Sequence, residues 1–287
     1  MKTTLRNLAI AMGMAAVATA AVLLLAFNAG GPAVSQPGRA ALVAPASAPT
    51  PPAGDVIPLK SIADLNSFNA TVKLDVNGLI DGERAQGDLT GLLTNNQNKS
   101  RITVSGGLLG ELAAKVGGSA IGLFTPSKVD LYKVPEGAFV VVNALIPICV
   151  KPKALNATAS LDDISPQSLM TMLTSSDVAR GELVGEETLN GAAVKHYVID
   201  GDAFLAAAQN STNEKLSKFG ESLWSAEDAD LYVDAKTGYP VAFRGNYSGS
   251  FEPLKFEGDF GIQLDLTSVN AAKAVALPSA CNKPISQ

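Results

Sequence analysis

The chain carries a single histidine, His196, in the stretch LNGAAVKHYVID that runs from Leu189 to Asp200. A lone imidazole could act as general base for a serine or cysteine nucleophile, oriented by a third group. The sequence has no Gly-x-Ser-x-Gly elbow to present such a nucleophile. Alternation along the stretch places Val194, His196 and Val198 on one face of a strand. We therefore interpret His196 as a structural residue of that strand and predict no catalytic residues.

Metal ligands and phosphate-binding motifs are equally scarce. One histidine and two cysteines supply too few soft ligands for a zinc site. The acidic stretch SAEDADLYVDAKTG, residues 225–238, lacks the ligand spacing and central glycine of a calcium loop. The stretch GGLLGELAAKVGG, residues 106–118, has no Gly-Lys-Ser/Thr phosphate cradle. We predict that the protein uses neither a metal nor a cofactor and is not an enzyme.

Residues 1–28 form a targeting segment, because Lys2 and Arg6 precede an apolar run from Leu8 to Phe27. A run of this length is enough to cross a bilayer as a helix. The cationic end should stay in the cytoplasm, so we expect the rest of the chain at the extracytoplasmic face of the cell membrane. The segment either remains as an anchor, residues 8–27, or is cleaved as a signal peptide. We favour the anchor because no small-x-small cleavage site closes the run.

The remaining chain divides into a linker and one domain. Residues 29–54 are rich in Pro, Ala, Ser and Gly and almost free of charge, which is typical of a semi-extended tether. We assign residues 55–287 to a single domain, and 47% hydrophobic residues suffice for a sizeable core.

The net charge is −5 and no basic stripe is present, which excludes nucleic acid as a partner.

The two cysteines, Cys149 and Cys281, both lie in the exported domain. Export permits a disulfide, and we favour a bridge between them over two free thiols.

Strand and helix patterns alternate through the domain. Period-two alternation is clear from Val72 to Asn77, and Asn190-Gly191 is a strong tight-hairpin signal. Three apolar helical stretches separate groups of strands: residues 106–118, a stretch from Ser165 and Pro166 onwards, and a region from Ala203 to Trp224 broken near Asn210. This order predicts an α+β fold in which a strongly curved antiparallel sheet, a half-open barrel, packs over apolar helices.

Several motifs after Arg180 follow a recognisable order. A Gly-Glu-Glu-x-x-Asn-Gly strand pair leads to His-Tyr, then to a Val-Asp-x-x-Thr-Gly-x-Pro hairpin and a Tyr-Ser-Gly strand ending near Val-Asn: residues 185–191, 196–197, 233–240, 247–249 and 269–270. In this order the sequence resembles the LppX/LprG family of bacterial envelope lipoproteins, which belongs with the lipoprotein carriers LolA and LolB. The resemblance covers about residues 60–275. It implies a LolA-like fold that encloses a cavity for acyl chains, although this chain lacks the acylated cysteine of the lipoprotein members.

Two hypotheses of function follow. In the first, the protein binds and transports a lipid, lipoprotein or glycolipid in the bacterial cell envelope through an apolar cavity. The residues that we expect to line the cavity are Leu108, Leu112 and Val116 from the first helix, Leu169, Met172 and Leu173 from the second, and Phe204, Leu205, Phe219 and Leu223 from the third. In the second, the domain has the same fold but is an envelope sensor that binds a protein partner. The residue pattern alone leaves a lined cavity and a dry core equally open.

Overall fold

The computed structural model describes residues 54–109, 128–143, 147–151, 166–251 and 255–286. The predicted targeting segment, residues 1–28, and residues 29–53 of the predicted tether 29–54 lie outside these ranges, as does Ser165. In the described part of the chain, no helix is long and apolar enough to cross a membrane.

The described residues form fourteen strands and three α-helices. The strands are β1 (Asp55–Val56), β2 (Ser67–Ile80), β3 (Glu83–Asn96), β4 (Lys99–Ser105), β5 (Lys128–Val134), β6 (Gly137–Asn143), β7 (Ile148–Lys151), β8 (Arg180–Leu189), β9 (Ala192–Ile199), β10 (Leu223–Ala226), β11 (Ala229–Asp234), β12 (Pro240–Phe251), β13 (Phe256–Thr267) and β14 (Ile285–Ser286). The helices are α1 (Pro166–Leu173), α2 (Gly201–Gln209) and α3 (Glu214–Ser222). Residues 107–109 are also helical.

All fourteen strands belong to one sheet in the order β1-β8-β9-β11-β12-β13-β2-β3-β4-β5-β6-β7-β14, with β10 paired beside β12. Every pair is antiparallel except β7 and β14, which are parallel. Among the described residues β1 does not pair with β14, so the sheet is open. The structure is thus mostly antiparallel sheet with few helices, which agrees with the predicted class at this level.

Two-residue turns join several neighbouring strands. Between β8 and β9 the φ angles of Asn190 and Gly191 are 53° and 82°, and Leu189 lies opposite Ala192. Two successive left-handed residues make the turn whose twist matches that of the strands. Asp81 and Gly82 repeat this arrangement between β2 and β3. The hairpin predicted at Asn190-Gly191 is confirmed.

Side chains alternate across the sheet and give it two different faces. Val76 and Phe260 lie opposite each other on the face that contacts the helices, and both are buried. Asp75 and its partner Gly261 lie on the other face. We call the first the inner face and the second the outer face.

The helices α2 and α3 each begin at a polar cap. The carboxylate of Asp200 accepts a hydrogen bond from the amide of Ala203 at 2.7 Å, and the Asn213 side chain accepts from the amides of Lys215 and Leu216. The predicted break near Asn210 is present, because Asn210 caps the end of α2. The prediction that the third helical region reaches Trp224 is wrong, since α3 ends at Ser222 and Leu223 begins β10.

At the β7 end, the C-terminal residues cover the outer face. Val275 and Leu277 pack against Tyr132 and Phe139 in a second apolar cluster. Cys149 of β7 and Cys281 form a disulfide across 132 residues of sequence, and Ile285 pairs with Val150. This end of the sheet is therefore buried on both faces.

Removing the disulfide should destabilise the protein substantially. A cross-link that closes a loop of this length contributes about 5 kcal/mol in the chain-entropy model. We expect the paired substitutions Cys149→Ser and Cys281→Ser to lower the free energy of unfolding by several kcal/mol in urea titrations. Treatment of the wild type with a reductant should reproduce the loss. An unchanged midpoint in both experiments would contradict a structural role for the bridge.

The turn between β11 and β12 should weaken at low pH. Asp234 Oδ1 accepts hydrogen bonds from the amides of Lys236 and Thr237 and from the Thr237 hydroxyl, at 3.1, 2.6 and 2.6 Å. Desolvation tends to raise the pKa of Asp234, but these hydrogen bonds outweigh it and hold the pKa below its ordinary value. A carboxyl group whose pKa is lower in the folded state stabilises the fold at pH values above its unfolded-state pKa of about 3.9. This stabilisation is lost as the pH falls through the folded-state pKa.

We therefore expect Asp234→Ala to lower the free energy of unfolding by about 1–2 kcal/mol at pH 7. The difference from the wild type should shrink below about pH 4. Urea unfolding at several pH values measures it, and a difference that stays constant down to pH 2 would contradict the assignment.

Candidate functional site

A row of directly opposed residues crosses the inner face over eleven strands, and we call it the apolar row. Its members are, from β8 to β7, Leu183, Tyr197, Leu231, Phe243, Leu264, Val72, Gly91, Val104, Val129, Val142 and Ile148. Opposed residues of an antiparallel pair project from the same face. The row contains no charged residue, so it forms a continuous apolar surface.

Side chains from the helices lie against this surface. The ring of Phe204 in α2 lies 5.6 Å from that of Tyr247 in β12, and the ring of Phe219 in α3 lies 5.7 Å from it. Leu173 of α1 is buried in the same cluster. Most of the interior is therefore packed between sheet and helices.

The apolar face is incompletely covered in the middle of the sheet. Val72 and Leu74 of β2 are only partly buried, whereas their partners on β13, Leu264 and Ile262, are almost completely buried. Gly91, opposite Val72 on β3, supplies no side chain, and a Cβ added there would approach no atom of the described residues closer than 3.9 Å. We call Val72, Leu74 and Gly91 the β2 strip. It is an apolar surface that the described residues leave partly uncovered.

Tyr247 brings one polar group to the interior. Its side chain is buried, its hydroxyl has no hydrogen-bond partner in the described part of the chain, and it lies over Gly245, where a Cβ would be 2.6 Å from the hydroxyl oxygen. Burial raises the pKa of Tyr247 far above its ordinary value, so the phenol stays neutral.

The predicted cavity-lining residues fall into three groups. Leu108, Met172, Leu173, Phe204 and Phe219 are buried in the main cluster with the inner face, and Leu205 is partly buried against it. Leu223 belongs to the same cluster but contributes from β10 rather than from a helix. Leu112, Val116 and the side chain of Leu169 lie outside the described residues.

Sequence reasoning assigned the site to helices and missed the β2 strip. The alternation from Val72 to Asn77 identified the strand and its apolar side. It did not indicate which apolar strand residues remain partly exposed, because that depends on coverage by residues distant in sequence.

His196 lies on the outer face, away from the apolar row. Its Nε2 lies 2.7 Å from Asp230 Oδ1 and its Nδ1 lies 3.1 Å from Glu187 Oε1. The imidazole stacks on Tyr232 at 4.6 Å between ring centroids. Desolvation, together with the charges of Asp230 and Glu187, raises the pKa of Tyr232. The contacts link β8, β9 and β11, which fits the structural role predicted for His196.

The outer face also carries a polar groove of about 640 Å³ across β3, β2, β13, β12 and β10. Carboxylates at Asp75, Asp88, Asp259 and Glu227 line it. Three of these acids accept hydrogen bonds from neighbours: Ser248 donates to Asp259 at 2.7 Å, Asn246 donates to Glu227 at 2.8 Å and the amide of Gly107 donates to Asp88 at 3.3 Å. Within the described ranges, no group of three or more His, Cys, Asp and Glu side chains could hold a metal ion.

No family model and no curated protein matches the chain. Among solved structures, LprF from Mycobacterium bovis matches with 10% identity and a TM-score of 0.37, over 75% of this chain and 90% of that one. LprF is a lipoprotein of the LppX/LprG family, the family that the sequence motifs resemble.

Two further structures are similar to a smaller degree. A DUF1329 family protein from Desulfovibrio piger ATCC 29098 matches with 10% identity and a TM-score of 0.23, over 74% of this chain and 88% of that one. PNGF-II matches with 12% identity and a TM-score of 0.22, over 77% of this chain but 31% of that one. At TM-scores below 0.5 and identities this low, none of the three likenesses carries an argument about ligand or activity.

Replacing His196 should affect stability alone. His196 contacts two partly exposed carboxylates and stacks on Tyr232. We therefore expect His196→Ala to lower the free energy of unfolding by about 1 kcal/mol. A double-mutant cycle with Asp230→Asn in urea titrations should give a coupling energy of up to about 1 kcal/mol. Loss of a hydrolytic activity in His196→Ala, with the fold intact, would contradict the structural role.

Proposed function

We propose that the protein binds lipid or an acylated ligand against the inner face of its sheet, without catalysis. Acyl chains would lie along the β2 strip, beneath the helices. The lining would include the buried residues Leu108, Met172, Leu173, Phe204 and Phe219, together with the partly buried Leu205. Leu223 would contribute from β10, and Leu112, Val116 and Leu169 remain predicted members of the lining.

The observation that carries this proposal is the partial exposure of Val72 and Leu74 at the centre of the inner face, beside the almost completely buried Leu264 and Ile262. Apolar side chains at the middle of a sheet are normally covered by the opposing layer. A hydrocarbon chain laid over them would remove the remaining surface from water, and each buried methylene contributes about 0.8 kcal/mol. The loss of ligand freedom on binding offsets much of that gain.

The cellular role rests on the sequence. The apolar run of residues 8–27 supports export and anchoring at the extracytoplasmic face of the membrane. The motif order that resembles the LppX/LprG family supports a LolA-like half-open barrel over apolar helices. On this basis we assign the protein to lipid carriage or holding in the bacterial envelope.

The alternative, a sensor domain that binds a protein partner, predicts a completely filled interior. The exposure of Val72 and Leu74 favours the lipid hypothesis over it.

Filling the β2 strip should abolish lipid binding. In Leu74→Trp the indole would occupy the space that the acyl chain needs. We expect the full-length wild type to co-purify with lipid, detected by native mass spectrometry and by solvent extraction. We expect at least a tenfold lower content in the variant.

Leu79→Trp is the matched control, because Leu79 lies on the same strand but on the outer face and is 42% exposed. It should retain the lipid of the wild type, and circular dichroism should show that both variants are folded. A wild type that neither co-purifies with lipid nor binds an apolar dye would overturn the proposal. Equal lipid content in both variants would remove the β2 strip as the site.

A further inference from the structure

Tyr247 of β12 carries a buried hydroxyl on the inner face. This hydroxyl has no hydrogen-bond partner among the described residues, and the Tyr247 side chain is only 3% exposed. Buried polar side-chain atoms are nearly always hydrogen-bonded, because a buried group without a partner has lost its bonds to water and gained none in exchange. An acceptor that enters the interior with a ligand would therefore be held by a new hydrogen bond here.

Aromatic rings surround the phenol of Tyr247. The rings of Phe204 in α2, Phe219 in α3 and Phe260 in β13 lie 5.6, 5.7 and 5.5 Å from it between centroids. These three side chains have neither a charge nor a hydrogen-bonding group. Burial raises the pKa of Tyr247 far above its ordinary value, so the phenol stays protonated. The hydroxyl is thus a permanent donor in apolar surroundings.

The hydroxyl lies above the backbone of Gly245, two residues earlier on β12. A Cβ at Gly245 would be 2.6 Å from the hydroxyl oxygen, 2.9 Å from Cζ and 3.0 Å from Cε2 of the Tyr247 ring. The ring can lie here only because residue 245 has no side chain. The hydroxyl therefore reaches from the position of Tyr247 on the inner face to the position of Gly245.

The position of Gly245 connects the hydroxyl to the β2 strip. Gly245 lies opposite Ile262 on β13, and Ile262 lies opposite Leu74 on β2. Two strand spacings, about 10 Å, separate Gly245 from Leu74. Leu74 is only partly buried, whereas Ile262 is 1% exposed. A hydrocarbon chain that follows this row meets only apolar side chains, and it displaces those that cover Ile262.

We propose that Tyr247 donates a hydrogen bond to the carbonyl oxygen of an ester-linked acyl chain, which runs from there over Ile262 to the β2 strip. This inference rests on the proposed function and names the chemical class of its ligand. The helices contact Tyr247 through the rings of Phe204 and Phe219. These contacts are non-directional, so a hydrocarbon chain replaces them without breaking a hydrogen bond of Tyr247.

The surroundings of the hydroxyl favour an ester over two related groups. A carbonyl oxygen accepts a hydrogen bond through either of two lone pairs. An ether-linked alkyl chain buries the same methylenes but has no carbonyl oxygen. The carboxylate of a free fatty acid would lose its hydration among three phenyl rings that supply no cation, which costs far more than burying a neutral ester.

The test is competitive binding to the full-length chain, purified in detergent and freed of lipid, with native mass spectrometry as the readout. The probe is an equimolar mixture of dipalmitoyl phosphatidylcholine and its di-O-hexadecyl ether analogue, which share headgroup and chain length. We expect the wild type to prefer the ester about tenfold, because the ether leaves the buried donor without a partner. Tyr247→Phe should bind the two lipids equally and keep the wild-type affinity for the ether.

The stability of the lipid-free protein is the second readout. Tyr247→Phe removes a hydroxyl that has no partner among the described residues, so the midpoint of urea unfolding should stay the same or rise. A lowered midpoint would show that the hydroxyl has a structural partner in the lipid-free protein and would overturn its assignment to the ligand.

Tyr132→Phe is the matched control for both readouts. Tyr132 is also a buried tyrosine, but it belongs to the second apolar cluster, on the outer face. The variant should keep the preference of the wild type for the ester. Loss of the preference in Tyr132→Phe as well would show that the effect is not local to Tyr247 and would overturn the inference.

The outcomes separate this inference from the proposed function. Equal binding of ester and ether by the wild type, or an ester preference that persists in Tyr247→Phe, would overturn the hydrogen bond and leave lipid binding intact. Displacement of the ester lipid by an equimolar amount of palmitate would make a carboxylate the partner and overturn the ester. Binding of neither lipid by the wild type would overturn both proposals.

Discussion

Strand register is the constraint on which the rest of this structure depends. The apolar row stays on one face only because eleven strands keep the same alternation, and a slip of one residue in any strand would turn its side chains to the other face. Two-residue turns with left-handed backbone, at Asp81-Gly82 and Asn190-Gly191, fix this register locally. The register shifts between Leu183 and Gly185 in β8, near the open edge of the sheet, and also between Tyr232 and Val233 in β11 and between Leu223 and Ser225 in β10.

The two ends of the sheet differ in how they are closed. At β7 the C-terminal residues cover the outer face, and the Cys149–Cys281 disulfide holds them there. At β8 the described residues of the neighbouring strand β1 pair with Arg180 and Gly181. Leu183 and Val184 beyond them are 54% and 62% exposed. The β8 end of the sheet is thus covered less completely than the β7 end, although Tyr197 and Leu231, the next members of the apolar row, are buried.

Local patterns in the sequence predicted most of the fold, and distant contacts account for the rest. The strand from Val72 and the hairpin at Asn190-Gly191 follow from alternation and turn chemistry, which act over a few residues. Leu223 was predicted in a helix but begins β10. Gly249 on β12 lies opposite it, and a Cβ there would approach the carbonyl of Ser222 to 2.5 Å. The pairing of Leu223 with Gly249 spans 26 residues, so no local pattern could indicate it.

The same alternation separates the chemistry of the two faces. It places Tyr197 on the inner face and His196, the residue with the most obvious reactivity, on the outer face. The apolar row has no charged member, and the buried hydroxyl of Tyr247 stays neutral. A surface of this kind distinguishes ligands mainly by the volume of their chains, since each methylene contributes about the same 0.8 kcal/mol.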